Sequence, residues 1–522
     1  MEGFVAKHAD QVTGTLSGFD RLVFRGTLRM LAHRGGLMSY LSQVGVLIKE
    51  FGEHAQRLTG QLRDASTELA RQMTRPMQYL ASSAASKEEI ARRIAAADGI
   101  EHGLICILRA VEPCLSYEVV RNRASRHIEI EPRHRKCLFL YHYQMHPQFG
   151  FMHARIQTWF PFAIQICLNG REWLARDMDA AGLGYQRRDN CFTWLEHPDQ
   201  AQRLMDRQVQ SDWPGLLDGI ARSLNPLHET MFAGFPMDYY WSTYQSEWAT
   251  DVMFRDQAVL ARLYPRLVHH GLTTFLSADV LRFLGRKIPS SGEPNGNLQL
   301  EVASDVKRRP EGVRIKHRVG DNSVKMYDKQ GSVLRVETTI NDVDQFKTFR
   351  PPENKPDAAP SRQRMRKGVA DLHRRTEVSQ AANDRYLQAL ASVEDTTSLG
   401  ELTARLCRPV SYKGRRVRAL NPHAPADAAL LAAISRGEFT LNGLRNQDLR
   451  LLLFAGPART KAEQKRQAAA VSRKLRLLRA HRLIRKVSRT HRYHLTDAGR
   501  IVVTALMAAR NANTQELGKI AA

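Results

Sequence analysis

His317, Asp328, Arg335 and Glu337 fall on three short, mostly apolar strands. A histidine, two carboxylates and a guanidinium are residue types that hold a divalent ion or a phosphate. The segment reads as Gly312 to Val319, a turn at Gly320-Asp321-Asn322-Ser323, Val324 to Lys329, a turn at Gln330-Gly331, and Ser332 to Thr338. Side chains alternate along a strand, so setting Val319 opposite Val324 and Ser332 opposite Lys329 assigns the faces. One face then carries Val313, Ile315, His317, Val319, Val324, Met326, Asp328, Val333, Arg335 and Glu337. The four polar groups on it must satisfy each other or hold a ligand, because an unpartnered buried charge is expensive. The other face presents Arg314, Lys316, Arg318, Lys325 and Lys329, which suits a polyanion.

A second candidate lies upstream in Leu138 to His146. His142, Gln144 and His146 share one strand face, and the neighbouring strand adds His153, Arg155 and Gln157. His142 and Gln144 are a candidate pair of metal ligands; His142 and His146, roughly 13 Å apart on an extended strand, cannot share one ion. A polar sheet face with hydrogen-bonded histidines is the competing reading. Trp241, Tyr244, Trp248, Glu247 and Asp251 divide in the same way, between stacking unpaired bases and packing a core.

The carboxyl-terminal part carries a different signal. From Gln464 to Thr496 there are eleven lysines and arginines and no acid. Lys465, Arg466, Arg473, Lys474, Arg476 and Arg479 share a helix with Val471, Leu475 and Leu478, whose spacing reserves one side for packing. Arg489 and Arg492 follow in a two-stranded wing, Leu483 to Val487 and Arg492 to Leu495, before a helix that opens at Thr496. Upstream, Asp427 to Ser435 and Leu444 to Leu452 read as two more helices with a short strand between them. Helix, strand, helix, basic helix, wing, helix is the order of a winged helix-turn-helix, and its charge fits phosphates.

Composition points to the same partner. The 522 residues include 78 Lys+Arg against 53 Asp+Glu, a formal charge of +25, enough to attract polyanions. No apolar run reaches membrane length and the start lacks a basic-then-apolar leader, so a cytoplasmic protein without a membrane partner is expected. Six scattered cysteines show no Cys-x-x-Cys spacing, which excludes a zinc ribbon. No glycine loop for phosphates occurs, so no nucleotide cofactor is expected.

The elements that must position these groups give a multidomain α+β chain, with antiparallel sheets, flanking helices and a C-terminal winged helix-turn-helix. The expected divisions are a mainly helical region 1–100, an antiparallel sheet with helices 101–255, and helices with a second antiparallel sheet 256–349. A proline-rich linker 350–362, a helix and connector 363–423 and the winged helix 424–522 follow.

Residues 424–510 resemble the DNA-binding domain of MarR-type regulators. Lys325-Met326-Tyr327-Asp328-Lys329 with Leu334-Arg335-Val336-Glu337 resembles paired strands of replication initiators from rolling-circle plasmids and filamentous phages. That resemblance implies metal-side carboxylates at Asp328 and Glu337, a divalent ion such as Mg or Mn, and a tyrosine nucleophile, here Tyr386, that nicks DNA; His317 is a candidate ligand by its place on the strand face described above. The match of His142 and Gln144 to the paired ligands of single-strand endonucleases implies the same ion. Over nearly its whole length the chain is similar to a widespread bacterial winged-helix/MarR-like multidomain family. The blocks that carry this are Ser17-Gly18-Phe19-Asp20-Arg21, Asn169-Gly170-Arg171-Glu172-Trp173 and Arg366-Lys367-Gly368-Val369-Ala370-Asp371. This last likeness implies no activity. The expectation is a nucleic-acid-binding protein of mobile-element type that nicks or transfers strands, a replication initiator or transposase, with DNA the favoured partner. The alternatives are a non-enzymatic winged-helix regulator with a large sensing body and a protein that binds structured RNA. An oligomer is compatible with each.

Overall fold

The computed structural model describes residues 1–512 except 83, 124–125, 226, 287–301, 311, 392–398, 437–438, 440–442, 455, 457, 459 and 488–489. The chain divides into two compact units. One comprises residues 1–266 and 303–388, the other 267–302 and 389–522. This corrects the expected boundaries: the two strand sets belong to one unit.

In the first unit, among the described residues, eleven strands join in one sheet. They are β1 (Val12–Leu28), β2 (Met77–Leu80), β3 (Gly103–Arg121), β4 (Ile128–His146), β5 (Gly150–Gln157), β6 (Ile164–Asn169), β9 (Tyr239–Phe254), β10 (Val302–Arg309), β11 (Gly312–Val319), β12 (Asn322–Lys329) and β13 (Val333–Ile340). β7 (Tyr185–Arg188) and β8 (Cys191–Leu195) form a separate hairpin. The order across the sheet is β10-β11-β12-β13-β9-β1-β6-β5-β4-β3-β2. Each half repeats one plan: a long strand, helices, then an antiparallel meander whose last strand returns beside the long one, β6 beside β1 and β13 beside β9.

The sheet forms because its strands alternate. Along β1, Leu22, Phe24 and Leu28 are buried while Arg21, Val23 and Arg25 are half-exposed, and β5 and β6 repeat the pattern. The apolar face packs against helices Arg34–Gln43, Phe51–Gln72 and Trp213–Leu224. Helix Leu372–Leu390 covers the same face beside β9 and β13. Its Asn383 donates to Trp248 O at 3.0 Å and accepts from Thr338 Oγ1 at 2.7 Å. Its Arg375 donates to Ser246 Oγ at 2.7 Å and Thr243 O at 2.8 Å.

The expected linker is instead the inside of a hairpin. β14 (Lys347–Arg350) pairs with β15 (Ser361–Arg364), and the prolines occupy the loop between them.

The second unit holds the winged helix. Helix Pro425–Ile434, β18 (Leu444–Arg445), helix Asn446–Leu453, helix Lys461–Ala480, β19 (Ile484–Lys486), β20 (Arg492–Leu495) and helix Asp497–Asn511 follow in that order, with sheet order β18-β20-β19. Leu430, Leu431, Leu449, Val471, Leu475, Leu478 and Leu483 form its core. A further hairpin, β16 (Val410–Tyr412) with β17 (Arg415–Val417), precedes these elements. No helix among the described residues is long and apolar enough to cross a membrane.

Candidate functional site

Register decides what the second strand set can do. Val319 pairs with Asn322 rather than Val324, a slip of two that leaves His317 and Asp328 on the expected face. Lys329 pairs with Val333 rather than Ser332, and this slip of one transfers Arg335 and Glu337 to the opposite face. Its cause is the connection Gln330-Gly331-Ser332, one residue longer than expected, with φ of 56° at Gln330 and 75° at Gly331. The four polar groups therefore do not form one centre.

His317 and Tyr386 meet on the helix-covered face. Ser304 Oγ lies 2.8 Å from His317 Nδ1, and Tyr386 Oη lies 3.1 Å from Nε2. Both ring nitrogens are engaged, and burial pushes the imidazole down to about 4. Tyr386 is fully buried, and burial also drives its phenol well above the ordinary range. Glu337 stands across the sheet, so Tyr386 and Glu337 cannot act on one phosphate. Asp328 is half-buried and burial raises its carboxyl, though Gly331 N–H pulls partly back.

In the first half of the sheet, His142 is buried against Ser66 Oγ at 3.2 Å and burial lowers it to about 4. Gln144 Nε2 approaches Met152 Sδ at 3.9 Å, while His146 Nδ1 accepts from Gln148 N and Phe149 N in a turn. His142 and Gln144 therefore have packing partners, the competing reading given above. Trp241 and Trp248 are core residues too, donating to Asp218 Oδ1 and Gln380 Oε1 at 2.7 Å each, whereas Tyr244 is exposed.

Arg335 and Glu337 instead join a buried ionic centre on the other face. β1 shifts register between Phe19 and Leu22, both of which pack into the apolar core, so Asp20 and Arg21 turn to the opposite face. Arg335 Nη1 donates to Asp20 Oδ2 at 3.0 Å and Nη2 to Asn190 O at 2.8 Å; its Nε and Nη2 also grip the Asp251 carboxylate. Arg171 Nη2 reaches Ala249 O at 3.0 Å and Asp251 Oδ2 at 3.2 Å.

The Asn169-Gly170-Arg171 block explains how Arg171 arrives. Asn169 Oδ1 caps helix Gly170–Ala180 by accepting from Arg171 N and Glu172 N, while its Nδ2 donates to Asp20 Oδ1 at 3.1 Å. A Cβ at Gly170 would lie 2.4 Å from Phe19 O, so only glycine lets this helix start against β1. Asn190 Nδ2 adds a bond to Asp20 Oδ2 at 2.7 Å and Lys329 Nζ donates to Asn190 Oδ1 at 3.2 Å. Burial alone would raise Asp20, but Arg335, Arg171 and Lys329 outweigh it and hold the carboxyl below its usual value.

Beside this cluster, Lys325 Nζ donates to Glu337 Oε1 at 2.6 Å and Glu247 Oε1 at 3.2 Å. Carboxylate oxygens of Asp20, Glu247 and Glu337 come within 4.8 Å of one another, a donor set that a divalent ion would accept. The ammonium of Lys325 already serves as the cation for two of the three. As the side chains stand, the triad does not fit a second cation. Four cations (Arg171, Lys325, Lys329, Arg335) thus meet four carboxylates (Asp20, Glu247, Asp251, Glu337) and their formal charges cancel, while burial raises the Glu337 carboxyl against the pull of Lys325.

Of the five basic residues expected on the second strand set to meet a polyanion, Lys325 and Lys329 are therefore internal. Arg314 is buried against Asp305 at 3.0 Å. Lys316 is half-exposed and Arg318 exposed. Arg21, Arg25 and Arg155 are half-exposed elsewhere on the sheet, with Arg155 paired to Glu112 at 2.7 Å and Arg21 3.9 Å from Glu88.

In the second unit Lys465, Arg466, Arg473 and Arg476 are exposed on helix Lys461–Ala480, with Lys474 and Arg479 half-buried. Among the described residues Lys474 lies near enough to Asp427 to help lower its carboxyl, and no acid is in ion-pair distance of the other five side chains. Arg492 is half-buried on the wing; Arg489 lies outside the described residues. No family model matches the chain, and neither a curated protein nor a solved structure is similar to it.

Proposed function

We propose that the protein binds duplex DNA through its C-terminal winged helix. The observation that carries this reading is the division of helix Lys461–Ala480. Val471, Leu475 and Leu478 are fixed in the core, and Lys465, Arg466, Arg473 and Arg476 stand free of acidic partners along the outside. A cationic side held rigid by a packed one meets phosphates without first paying to break internal ion pairs.

Strand cleavage is left out of the proposal, because Tyr386 and Glu337 stand on opposite faces and Lys325 neutralises the carboxylates. The experiment is a titration of the full-length protein with a labelled mixed-sequence duplex at several salt concentrations. Arg473→Ala with Arg476→Ala should weaken binding and flatten the salt dependence by about two, near 0.9 per lost phosphate contact. Binding that is absent in dilute buffer, or equal in the double variant, removes the reading.

A further inference from the structure

The β16–β17 hairpin belongs to no element of the winged-helix order, yet it is built onto the basic helix. Tyr412 and Arg415 flank a two-residue turn, Lys413-Gly414, whose φ values of 51° and 70° suit the right-handed twist of a tight hairpin. Tyr412 lies under the Arg479 guanidinium at 5.7 Å, and His481 Nε2 is 3.0 Å from Arg418 O. Arg418 also grips both carboxylate oxygens of Asp427, at 2.7 Å each, which ties the base of the hairpin to the first helix of the winged domain.

Between the hairpin and the helix runs a groove of about 610 Å³. Its charged lining is Arg415, Arg416, Arg418, Arg473, Lys474 and Arg476, and no acid lines it. Arg415, Arg416 and Lys413 at the tip are exposed. Asp427 balances Arg418, but Arg415, Arg416, Arg473 and Arg476 remain as like charges around one concavity, and they gain most from a ligand that carries regularly spaced negative charge.

We propose that this hairpin is a second phosphate-gripping element, holding the sugar-phosphate backbone of duplex DNA in the groove it forms with helix Lys461–Ala480. The proposal rests on the DNA-binding reading and extends it: the contact surface continues past the wing onto an element that a minimal winged helix lacks. The side chains act on phosphates rather than base edges, so the gain is in affinity and salt dependence, the same for every sequence.

The test uses full-length protein and a labelled 30-base-pair duplex of mixed sequence, with anisotropy titrations across a salt series. Arg415→Ala with Arg416→Ala is expected to weaken binding about tenfold and to lower the salt slope by about two, as for two lost phosphate contacts. Lysine at both positions should restore most of the slope, since charge and not fork geometry is used. Both arginines are exposed, and an unchanged melting profile in the alanine variant would tie the loss to the groove. If Arg473→Ala/Arg476→Ala weakens binding while Arg415→Ala/Arg416→Ala behaves as the unsubstituted protein, the hairpin proposal is overturned and the DNA reading stands. If the unsubstituted protein ignores the duplex, both fall. A marked preference for duplex RNA over DNA at matched salt also overturns the proposal.

Discussion

Arg335 and Asp251 form a two-point ion pair, Nε to Oδ1 at 2.6 Å and Nη2 to Oδ2 at 2.9 Å, with neither side chain reached by solvent. They come from adjacent strands, and Arg335 also holds Asp20 from a third. Breaking such a pair from one side leaves a buried charge, at a cost of about 3–5 kcal/mol. Arg335→Met is therefore expected to lower the denaturation midpoint of the first unit severely. Adding Asp251→Leu should recover part of that loss, because it restores the balance of buried charge and leaves Arg171 opposite Asp20. Urea titrations of the two variants check this; a double variant weaker than the single by the full cost of a second mutation would refute the coupling.

Lys325→Met removes the ammonium from between Glu247 and Glu337 while leaving three carboxylates within 4.8 Å. The variant should be destabilised in metal-free buffer and regain stability with millimolar Mn2+, which the unsubstituted protein should not. An equal rise of both melting temperatures with Mn2+ would show that the lysine is not the resident cation.

Tyr386→Phe deletes a hydroxyl whose partner is His317. A cost of about 1 kcal/mol in stability is expected, with duplex affinity unchanged. If the protein nicks supercoiled plasmid in Mg2+ or Mn2+ and this variant alone does not, the assignment of Tyr386 to packing is wrong.

His142, His153 and His317 are held neutral in the folded chain. Burial lowers them to about 4, 3 and 4, and Arg21, Arg155 and Lys87 add to the effect at His153. Unfolded, each titrates near the ordinary value of about 6.5. The folded state thus binds fewer protons between about pH 6.5 and 4, so stability is fully present above that window and falls as pH drops through it. Each histidine contributes a slope of about 1.4 kcal/mol per pH unit. Urea midpoints measured at pH 7.5, 6.5 and 5.5 should decline over the lower interval; a flat profile would count against buried His142 and His317 and half-buried His153.

The winged helix was legible because its signals are local. Apolar spacing, the basic run and the short wing all lie within one stretch, and each predicts its own neighbour. The ionic centre was not, since Asp20, Arg171, Asp251 and Arg335 are brought together only by long-range strand pairing. Two of its members, Asp20 and Arg171, stand inside the blocks Ser17 to Arg21 and Asn169 to Trp173 singled out in the sequence, but nothing in either block names the partner. The capping signal at Asn169 was readable and would have placed a helix start beside a strand. For β11 and β12 the assigned faces survived an error of two residues in pairing, whereas an error of one at β13 reversed Arg335 and Glu337.

That sensitivity constrains how this chain can change in length. Inserting or deleting one residue in Gln330-Gly331-Ser332 would rotate all of β13, carrying Arg335 away from Asp20 and Asp251 and pressing Val336 and Thr338 into the ionic cluster. The Pro351-to-Pro360 loop joins the two short strands of a separate hairpin, so a single-residue change there leaves the register of the large sheet untouched. Between Lys329 and Val333 only even steps keep Arg335 and Glu337 turned toward the ionic centre.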